Sequence, residues 1–216
     1  MCGRYSFFSK AQIIEKRFNV SVPKDLQPHF NAAPSQMLPI ITNIKPEELS
    51  LGLWGLRPKW LDKKQAGFIN ARAETVQDKP AFKNAFNKHR CLVLADSFFE
   101  WQKTGEQKTP YRILLKKEEP FAMAGLFEPY TTNKGKMIPS YTILTTHANK
   151  AVANIHDRMP VILKPEEEKI WLGDSMNELS FKEILIPYNS AQMNSYQISK
   201  LVNKPQADVP EILDPV

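Results

Sequence analysis

The spacing of hydrophobic residues along the chain predicts three short helices. Residues 9–19 place their apolar side chains on one helical face, and Ser9 is the expected N-cap because its hydroxyl can accept a hydrogen bond from a free backbone amide. Residues 81–88 and 166–172 are the other helical segments. Each would have only about two to three turns, so the helices are expected to flank a core that other elements build.

Runs rich in β-branched and aromatic residues predict the strands. They cover residues 37–42, 49–56, 91–101, 111–115, 121–127, 141–146 and 159–163. Turn-forming segments at 103–106 and 132–135, each with a glycine, fall between consecutive strands, as is typical of hairpins. A regular strand–helix alternation is absent. The pattern therefore predicts an α+β fold, a single domain on a curved, mostly antiparallel and partly barrel-like β-sheet with a few flanking helices.

Length and composition agree with one domain over residues 1–216, with an extended tail from about Lys204. The chain is 42% hydrophobic, enough for a sizeable core without metals or disulfides, and its 17 prolines argue against a helical bundle. No apolar run of membrane-spanning length and no secretory leader is recognisable. We therefore expect a cytosolic protein with no membrane partner. We also expect it to be a monomer.

Cysteine and charge usage narrow the function classes. Cys2 and Cys91 are expected to be free thiols in a reducing compartment, and no Cys/His spacing resembles a metal site, so neither a metal nor another cofactor is expected. Twenty-nine basic against twenty-three acidic residues give a net charge of +6. This excess favours polyanionic partners such as nucleic acid, although it is also common among plain soluble proteins.

Cys2 is the first candidate for chemistry because it follows the initiator methionine. Methionine is normally removed before a residue this small, which would leave Cys2 with a free α-amine beside its thiol. Near pH 7.4 about a quarter of such an amine is neutral, against about one in a thousand lysines. An aldehyde that condensed with this amine could be closed by the thiol into a thiazolidine, which an internal cysteine cannot form. A small second residue also occurs by chance, and a retained Met1 would block the amine.

Three polar clusters inside β-like sequence hold candidate partners for Cys2. Glu100 follows the apolar run 92–99 and should end a buried strand, where desolvation can raise its pKa for general acid/base work. A salt-bridged glutamate at the edge of the core is an equally compatible interpretation. His156 precedes Arg158 by two residues, which could bring an imidazole and a guanidinium together, or His156 could be structural. Asn70 could bind a sugar hydroxyl or hold the terminal amine.

Arginine side chains are candidate phosphate ligands. Arg4, Arg72 and Arg158 could each bind phosphate oxygens through paired N–H groups. Single arginines more often form surface ion pairs, so residue type alone leaves both roles open.

Aromatic and proline residues are candidate base contacts. Trp54, Trp60 and Trp101 lie near basic residues, and this mixture of aromatic and basic side chains can stack bases and follow a single strand. Core packing is the commoner role of tryptophan. Pro34, in the loop of residues 31–36, could act as a wedge against a base step or simply form a turn.

Six motifs, taken in order, closely resemble the SOS-response-associated peptidase (SRAP) family. They are MCGRY at residues 1–5, NAAP at 31–34, WGL at 54–56, NARAET at 70–75, FEW at 99–101 and HDRMP at 156–160. Each motif alone is weak evidence, whereas their joint order is specific. The resemblance extends from Cys2 to about Leu163 and varies most over residues 58–68, so it supports Trp101 better than Trp60.

The resemblance implies a sensor and shield for abasic sites in single-stranded DNA during the DNA damage (SOS) response. Cys2 would form a thiazolidine crosslink with the ring-opened sugar, and Asn70 would position the reacting groups. Glu100 would assist proton transfer, and His156 would act as acid/base at the sugar. The flanking phosphates would be held by arginines at positions 4, 72 and 158. When bound to DNA the protein would be associated with the nucleoid.

Three hypotheses follow for the activity. Covalent capture of abasic DNA is favoured by the aminothiol argument, and its imine intermediate could also permit some abasic-site lyase activity. The family name implies a cysteine peptidase, self-processing or otherwise, that would use Cys2 with Glu100 and His156. The third hypothesis is a non-enzymatic binder of single-stranded DNA, whose affinity would fall with salt while no adduct formed.

Overall fold

The computed structural model describes residues 2–173 and 178–216. Met1, whose removal the sequence predicts, lies outside the described residues. The helices are α1 (Ala11–Phe18), α2 (Lys83–Lys88), α3 (Pro165–Leu172) and α4 (Glu178–Ile184). The strands are β1 (Arg4–Phe7), β2 (His29–Ala32), β3 (Met37–Thr42), β4 (Lys45–Trp54), β5 (Asn70–Arg72), β6 (Arg90–Ala95), β7 (Ser97–Thr104), β8 (Gln107–Leu115), β9 (Phe121–Thr131), β10 (Met137–His147), β11 (Arg158–Pro160), β12 (Ile162–Leu163) and β13 (Met193–Gln197).

Two sheets pack around the core. One is antiparallel with the order β13-β8-β7-β1-β2. The other has the order β11-β10-β4-β3-β6-β9-β12, with β5 beside β10. Because β9 also pairs with β10, strands β10, β4, β3, β6 and β9 form a closed ring. Pairing is mostly antiparallel, and β10 runs parallel to β4 and β5. The predicted α+β, partly barrel-like single domain is confirmed.

Two hairpins form at the turns that the sequence predicts. The β7–β8 hairpin closes at Thr104 opposite Gln107, with Gly105 in the left-handed region at φ 61°. The β9–β10 hairpin closes around Gly135 at φ 76°. Glycine tolerates positive φ because it has no Cβ. The strands extend beyond the predicted hydrophobic runs, since their polar ends keep pairing after the core contact stops.

The predicted strand at 91–101 is divided into two at Asp96. This carboxylate accepts hydrogen bonds from the backbone amides of Phe8 and Ser9, at 2.6 and 3.0 Å, and from the Ser9 hydroxyl. The chain thereby passes from the barrel sheet to the five-stranded sheet. Because Ser9 is engaged by Asp96, it does not cap α1, and Lys10 takes the N-cap position. The Ser9 cap prediction is wrong for this reason.

Tyr5 and Tyr141 connect the two sheets at the centre of the core. Both are fully buried, and their hydroxyls share a hydrogen bond of 2.8 Å. The ring of Trp54 lies against both, with centroids 5.1 and 6.4 Å away. Trp54 is therefore a core residue, only 1% exposed, and the prediction that it stacks on bases is wrong. Cys2 belongs to the same cluster. The start of the chain is therefore packed into the core.

The C-terminal residues, predicted as an extended tail from about Lys204, are folded onto the five-stranded sheet. Short 3₁₀ helices at Lys200–Asn203 and Pro210–Leu213 interrupt this segment. Ile212 is buried in a small cluster with Phe99. The apolar residues responsible are irregularly spaced, which explains why the hydrophobic pattern does not reveal them.

Asn31 attaches this C-terminal segment to β2. Its side-chain amide donates to the carbonyls of Val202, Lys204 and Ala207, at 3.3, 2.9 and 2.9 Å. Asp208 in turn accepts the backbone amide of Asn31 at 2.8 Å. Buried polar groups with so many partners fix backbone position. Within the described residues, no helix is both long and apolar enough to cross a membrane.

Candidate functional site

The residues preceding β1 lie between β5 and β7. Arg4 pairs with Phe99 in the β1–β7 ladder, which brings the start of the chain beside Glu100. From the other side, the Asn70 side-chain amide donates to the Cys2 carbonyl oxygen at 2.8 Å. The structure thus brings together Cys2, Asn70 and Glu100, which are far apart in the sequence.

The Cys2 thiol is completely buried. Its Sγ lies 3.7 Å from the Arg4 carbonyl oxygen. Burial raises the pKa of this thiol far above its ordinary range, and the nearby charge of Glu100 raises it further. The thiol is therefore protonated at neutral pH, unlike the thiolate on which a cysteine nucleophile normally depends.

Glu100 is a buried carboxyl group in the middle of β7, only 2% exposed. Burial raises its pKa, and the neighbouring His156 acts in the opposite direction. A carboxyl group that keeps its proton to higher pH can donate it to a leaving hydroxyl and take it back afterwards. The burial matches what the apolar run before Glu100 predicts. The prediction that Glu100 ends the strand is wrong, because β7 continues to pair with β8 as far as Thr104.

His156 lies just before β11, with about a quarter of its side chain exposed. Its Nδ1 accepts the backbone amide of Arg158 at 3.0 Å. A carboxylate oxygen of Asp157 lies 2.8 Å from the same nitrogen. Nδ1 can accept the Arg158 amide only when it carries no proton, whereas a hydrogen bond to the carboxylate would require a proton on Nδ1. Because Asp157 is highly exposed, the backbone contact is the better defined, and we assign the proton to Nε2.

An open cleft of about 520 Å³ contains these two catalytic candidates. Seven side chains line it: Arg4, Glu100, Trp101, Lys103, Lys108, His156 and Asn203. Four of them are residues that the sequence singles out. The other three, Lys103, Lys108 and Asn203, are not. A buried acid, an imidazole, an indole and several cationic groups thus line one cleft, which suits an anionic ligand.

Arg4 and Arg158 are both held by protein groups. Arg4 donates to Asn31 Oδ1 and to the Val202 carbonyl, each at 2.9 Å, and burial lowers its pKa. Arg158 is buried and forms a two-pronged ion pair with Glu74, at 2.7 and 2.8 Å. These contacts orient both guanidinium groups, and phosphate binding by either stays a prediction.

Arg72 has a different environment. It is exposed and lies two residues after Asn70 in β5. Alternate residues of a strand point to the same face, so Arg72 extends from the face on which Asn70 holds Cys2. Arg72 is not among the residues that line the cleft, and phosphate binding by Arg72 stays a prediction.

The other two predicted stacking residues, Trp60 and Trp101, differ in position. Trp101 is half-buried in the cleft, and its indole N–H donates to Asn203 Oδ1 at 2.7 Å. Trp60 is 62% exposed in the loop before β5, with Phe68 as a ring neighbour at 6.2 Å. Trp60 does not line the cleft, so the structure separates it from the catalytic candidates.

Pro34 occupies a tight turn between β2 and β3. The Ala33 amide donates to Gln36 Oε1 at 2.8 Å, and Ser35 adopts a left-handed conformation at φ 69°. Pro34 is half-buried and is not among the residues that line the cleft. A contact between Pro34 and a base step stays a prediction.

The chain is similar in sequence and structure to known proteins over its whole length. The family model described as SOS response associated peptidase (SRAP) matches residues 1–205. The abasic site processing protein YoqW of Bacillus subtilis (strain 168) is 40% identical over 99% of each chain. The abasic site processing protein YedK of Escherichia coli (strain K12) is 28% identical over the full length of both. A crystal structure of a Bacteroides thetaiotaomicron protein superposes with a TM-score of 0.89 at 28% identity, covering both chains completely.

Proposed function

The chain belongs to the SOS response associated peptidase family, and from this premise we propose that it captures abasic sites in single-stranded DNA through Cys2. Relatives across bacteria and vertebrates are named abasic site processing proteins. The product would be a thiazolidine that joins the protein covalently to the sugar. Removal of Met1 is required, because only then does Cys2 carry a free α-amine.

The reaction needs one amine, one thiol and one aldehyde. The Cys2 nitrogen attacks the aldehyde carbon of the ring-opened sugar, and the resulting carbinolamine loses its hydroxyl group as water to give an imine. The thiol sulfur then bonds to the imine carbon, and the thiol proton passes to the nitrogen. One water is released, no electrons are exchanged, and no cofactor is needed.

The observation that carries the proposal is the contact between Asn70 and the Cys2 carbonyl beside a buried Glu100. Holding the main chain of Cys2 limits where its amine can lie. Reactants held in a near-attack geometry react much faster than free ones. Asn70 therefore acts as a positioning residue.

Glu100 and His156 divide the proton transfers between them. Because burial raises the pKa of Glu100, its protonated form can donate to the sugar oxygen during ring opening and to the departing hydroxyl during imine formation. His156, with its proton assigned to Nε2, can donate to a sugar oxygen from the same cleft. Two groups with different environments suit two successive transfers.

The DNA strand would be bound by charge and by stacking. Arg4 and Arg72 lie close to the attachment point, and Trp101 offers an indole face within the cleft. Arg158 would act mainly by fixing the backbone around His156, with phosphate contact as a further role. Pro34 and Trp60 would contact the strand farther away, at the periphery.

A cysteine peptidase that uses the same residues is the alternative function. A peptidase requires a reactive thiolate, whereas burial and the charge of Glu100 raise the pKa of the Cys2 thiol. In the thiazolidine route the amine reacts first and the thiol second, so a protonated thiol is compatible. The electrostatics therefore favour aldehyde capture.

The test is a denaturation-resistant adduct between the protein and a single-stranded oligonucleotide that contains an abasic site. The adduct should require both the thiol and the free amine, so that Cys2→Ala abolishes it. Undiminished adduct with Cys2→Ala would exclude the proposal. Salt-sensitive binding without any adduct would favour the non-enzymatic binder, and peptide cleavage lost with Cys2→Ala would favour the peptidase.

A further inference from the structure

Lys103 and Lys108 face each other across the β7–β8 hairpin. They are direct partners in the antiparallel register, and both are exposed. Like charges placed directly opposite each other destabilise a sheet. A pair that weakens its own hairpin points to a selected role outside folding.

Among the described residues, no carboxylate neutralises either ammonium group. Over residues 2–173 and 178–216, no carboxylate lies within ion-pair distance of either lysine, whereas Lys45 and Lys164 bind Glu48 and Glu167 at 2.7 and 2.9 Å. Two uncompensated positive charges on adjacent strands create a local positive potential. Such a potential attracts an anionic partner.

Both lysines line the cleft that contains Glu100 and His156. Lys103 lies two residues beyond Trp101 on β7, so the two side chains share a face of the sheet at a separation of about 7 Å. Arg4, opposite Phe99, lies on this face on the other side of Trp101. Arg4 and Lys103 thus lie on opposite sides of the half-buried Trp101 indole. The three side chains form a row that leads out of the cleft.

We propose that Lys103 and Lys108 form a basic arm that binds the phosphate backbone of the single strand on one side of the abasic site. A backbone contact of this kind carries no sequence information and fixes only the path of the strand. The inference rests on the proposed function for the identity of the strand. The two lysines would provide a DNA-binding surface next to the proposed catalytic groups. They would also define the direction in which the DNA strand leaves the cleft.

The test compares the double variant Lys103→Gln/Lys108→Gln with the control Lys116→Gln/Lys117→Gln. Both remove two charges, but the control residues are exposed in the turn just beyond the opposite end of β8, at least about 27 Å from Lys108 for a fully extended strand. Binding to an unmodified single-stranded oligonucleotide is measured from low to high salt. The slope of log K against log salt should fall by about 1.4 for the arm variant, since each lost phosphate contact removes about 0.7, and should not change for the control.

A second measurement links the arm to the covalent reaction. The rate of adduct formation is measured on an abasic oligonucleotide with long flanks and on one with a single nucleotide on each side. The arm variant should be slower than wild type only on the long substrate. Its melting temperature should equal or exceed that of wild type, because the substitution removes a like-charge pair.

The outcomes separate this inference from the proposed function. An unchanged salt slope, or an equal loss in the control variant, would overturn the basic arm even if adduct formed normally. Absence of adduct with wild type, together with a slope loss confined to the arm variant, would overturn the proposed function and leave the arm supported as a DNA-binding surface.

Discussion

The side-chain amide of Asn70 donates a hydrogen bond of 2.8 Å to the main-chain carbonyl of Cys2. The contact reaches the backbone of Cys2 and not its thiol. It therefore orients the amine and the thiol together, whichever of them reacts first. The partners are 68 positions apart in the sequence, so only the fold brings them into contact.

Asn70→Ala should slow adduct formation by about 10²-fold, because a misplacement of about 1 Å in a reacting group can have that effect. Asn84→Ala is the matched control, since Asn84 also makes one side-chain hydrogen bond, to Glu128 at 2.7 Å. Each variant should lose about 1 kcal/mol of stability. Adduct kinetics and chemical denaturation measure the two effects. Equal rates in the two variants would refute a positioning role for Asn70.

Replacing the Cys2 thiol should change which product the imine intermediate gives. Cys2→Ser keeps the free α-amine after Met1 removal, so an imine still forms, but the thiol that closes the stable ring is gone. We expect loss of the stable adduct and an increase in strand cleavage by β-elimination at the abasic site. Denaturing gel electrophoresis of a labelled oligonucleotide resolves both products. Stable adduct at the wild-type level would show that the thiol is not a reactant.

Glu100→Gln should stabilise the protein increasingly as the pH rises. Burial raises the pKa of Glu100 in the folded state, so its unfolded form ionises first. The stability that Glu100 contributes in wild type is therefore fully present below the unfolded pKa of about 4.3 and is lost as the pH rises through the folded pKa. A glutamine side chain at this position does not titrate, so the two proteins should differ least near pH 4.

Thermal denaturation of both proteins from about pH 4 to about pH 8 measures this difference. The variant should also form adduct more slowly at every pH, because its amide cannot transfer a proton. A stability difference that is constant with pH would mean that the folded pKa of Glu100 is not raised.

Substitution of Arg72 should affect DNA binding, whereas substitution of Arg158 should affect stability. Arg72→Ala, at an exposed position, should reduce the salt slope of single-strand binding by about 0.7 and change stability by less than about 0.5 kcal/mol. Arg158→Ala removes the two-pronged ion pair with Glu74, although His147 Nε2 still lies 3.3 Å from that carboxylate. It should cost about 2 kcal/mol, below the usual range for a fully buried pair because Glu74 is partly exposed. Salt titrations and denaturation curves distinguish the two, and an unchanged slope in Arg72→Ala would remove it from the interface.

Local patterns in the sequence predict the hairpins and the helices α1, α2 and α3, because each is stabilised by residues close together in the chain. Helix α4 is not predicted. The predicted turn at residues 103–106 and the strand at 37–42 agree with β7–β8 and β3. The division at Asp96 could not be predicted in this way, since it depends on amides of Phe8 and Ser9 almost ninety residues away.

The short strands that position the site are the hardest to predict. β1 and β5 contain four and three residues, too few for a hydrophobic period to be recognised. The sequence identifies Cys2 and Asn70 by their chemistry and motifs. It does not predict their contact, because that contact forms only when β1 and β5 are placed in the fold. Asn203 enters the cleft from the folded C-terminal segment, and Lys103 and Lys108 resemble ordinary polar hairpin residues until their register is known.

Intact mass spectrometry tests the central claim most directly. The mass of the protein is measured alone and again after incubation with an abasic single-stranded oligonucleotide. Both measurements are made under denaturing conditions, so that only covalent products are detected. The account predicts a protein that lacks Met1, and then a product whose mass equals protein plus oligonucleotide minus one water. A protein that lacks Met1 but gives no such product, or an adduct of equal yield from the Cys2→Ala variant, would contradict it.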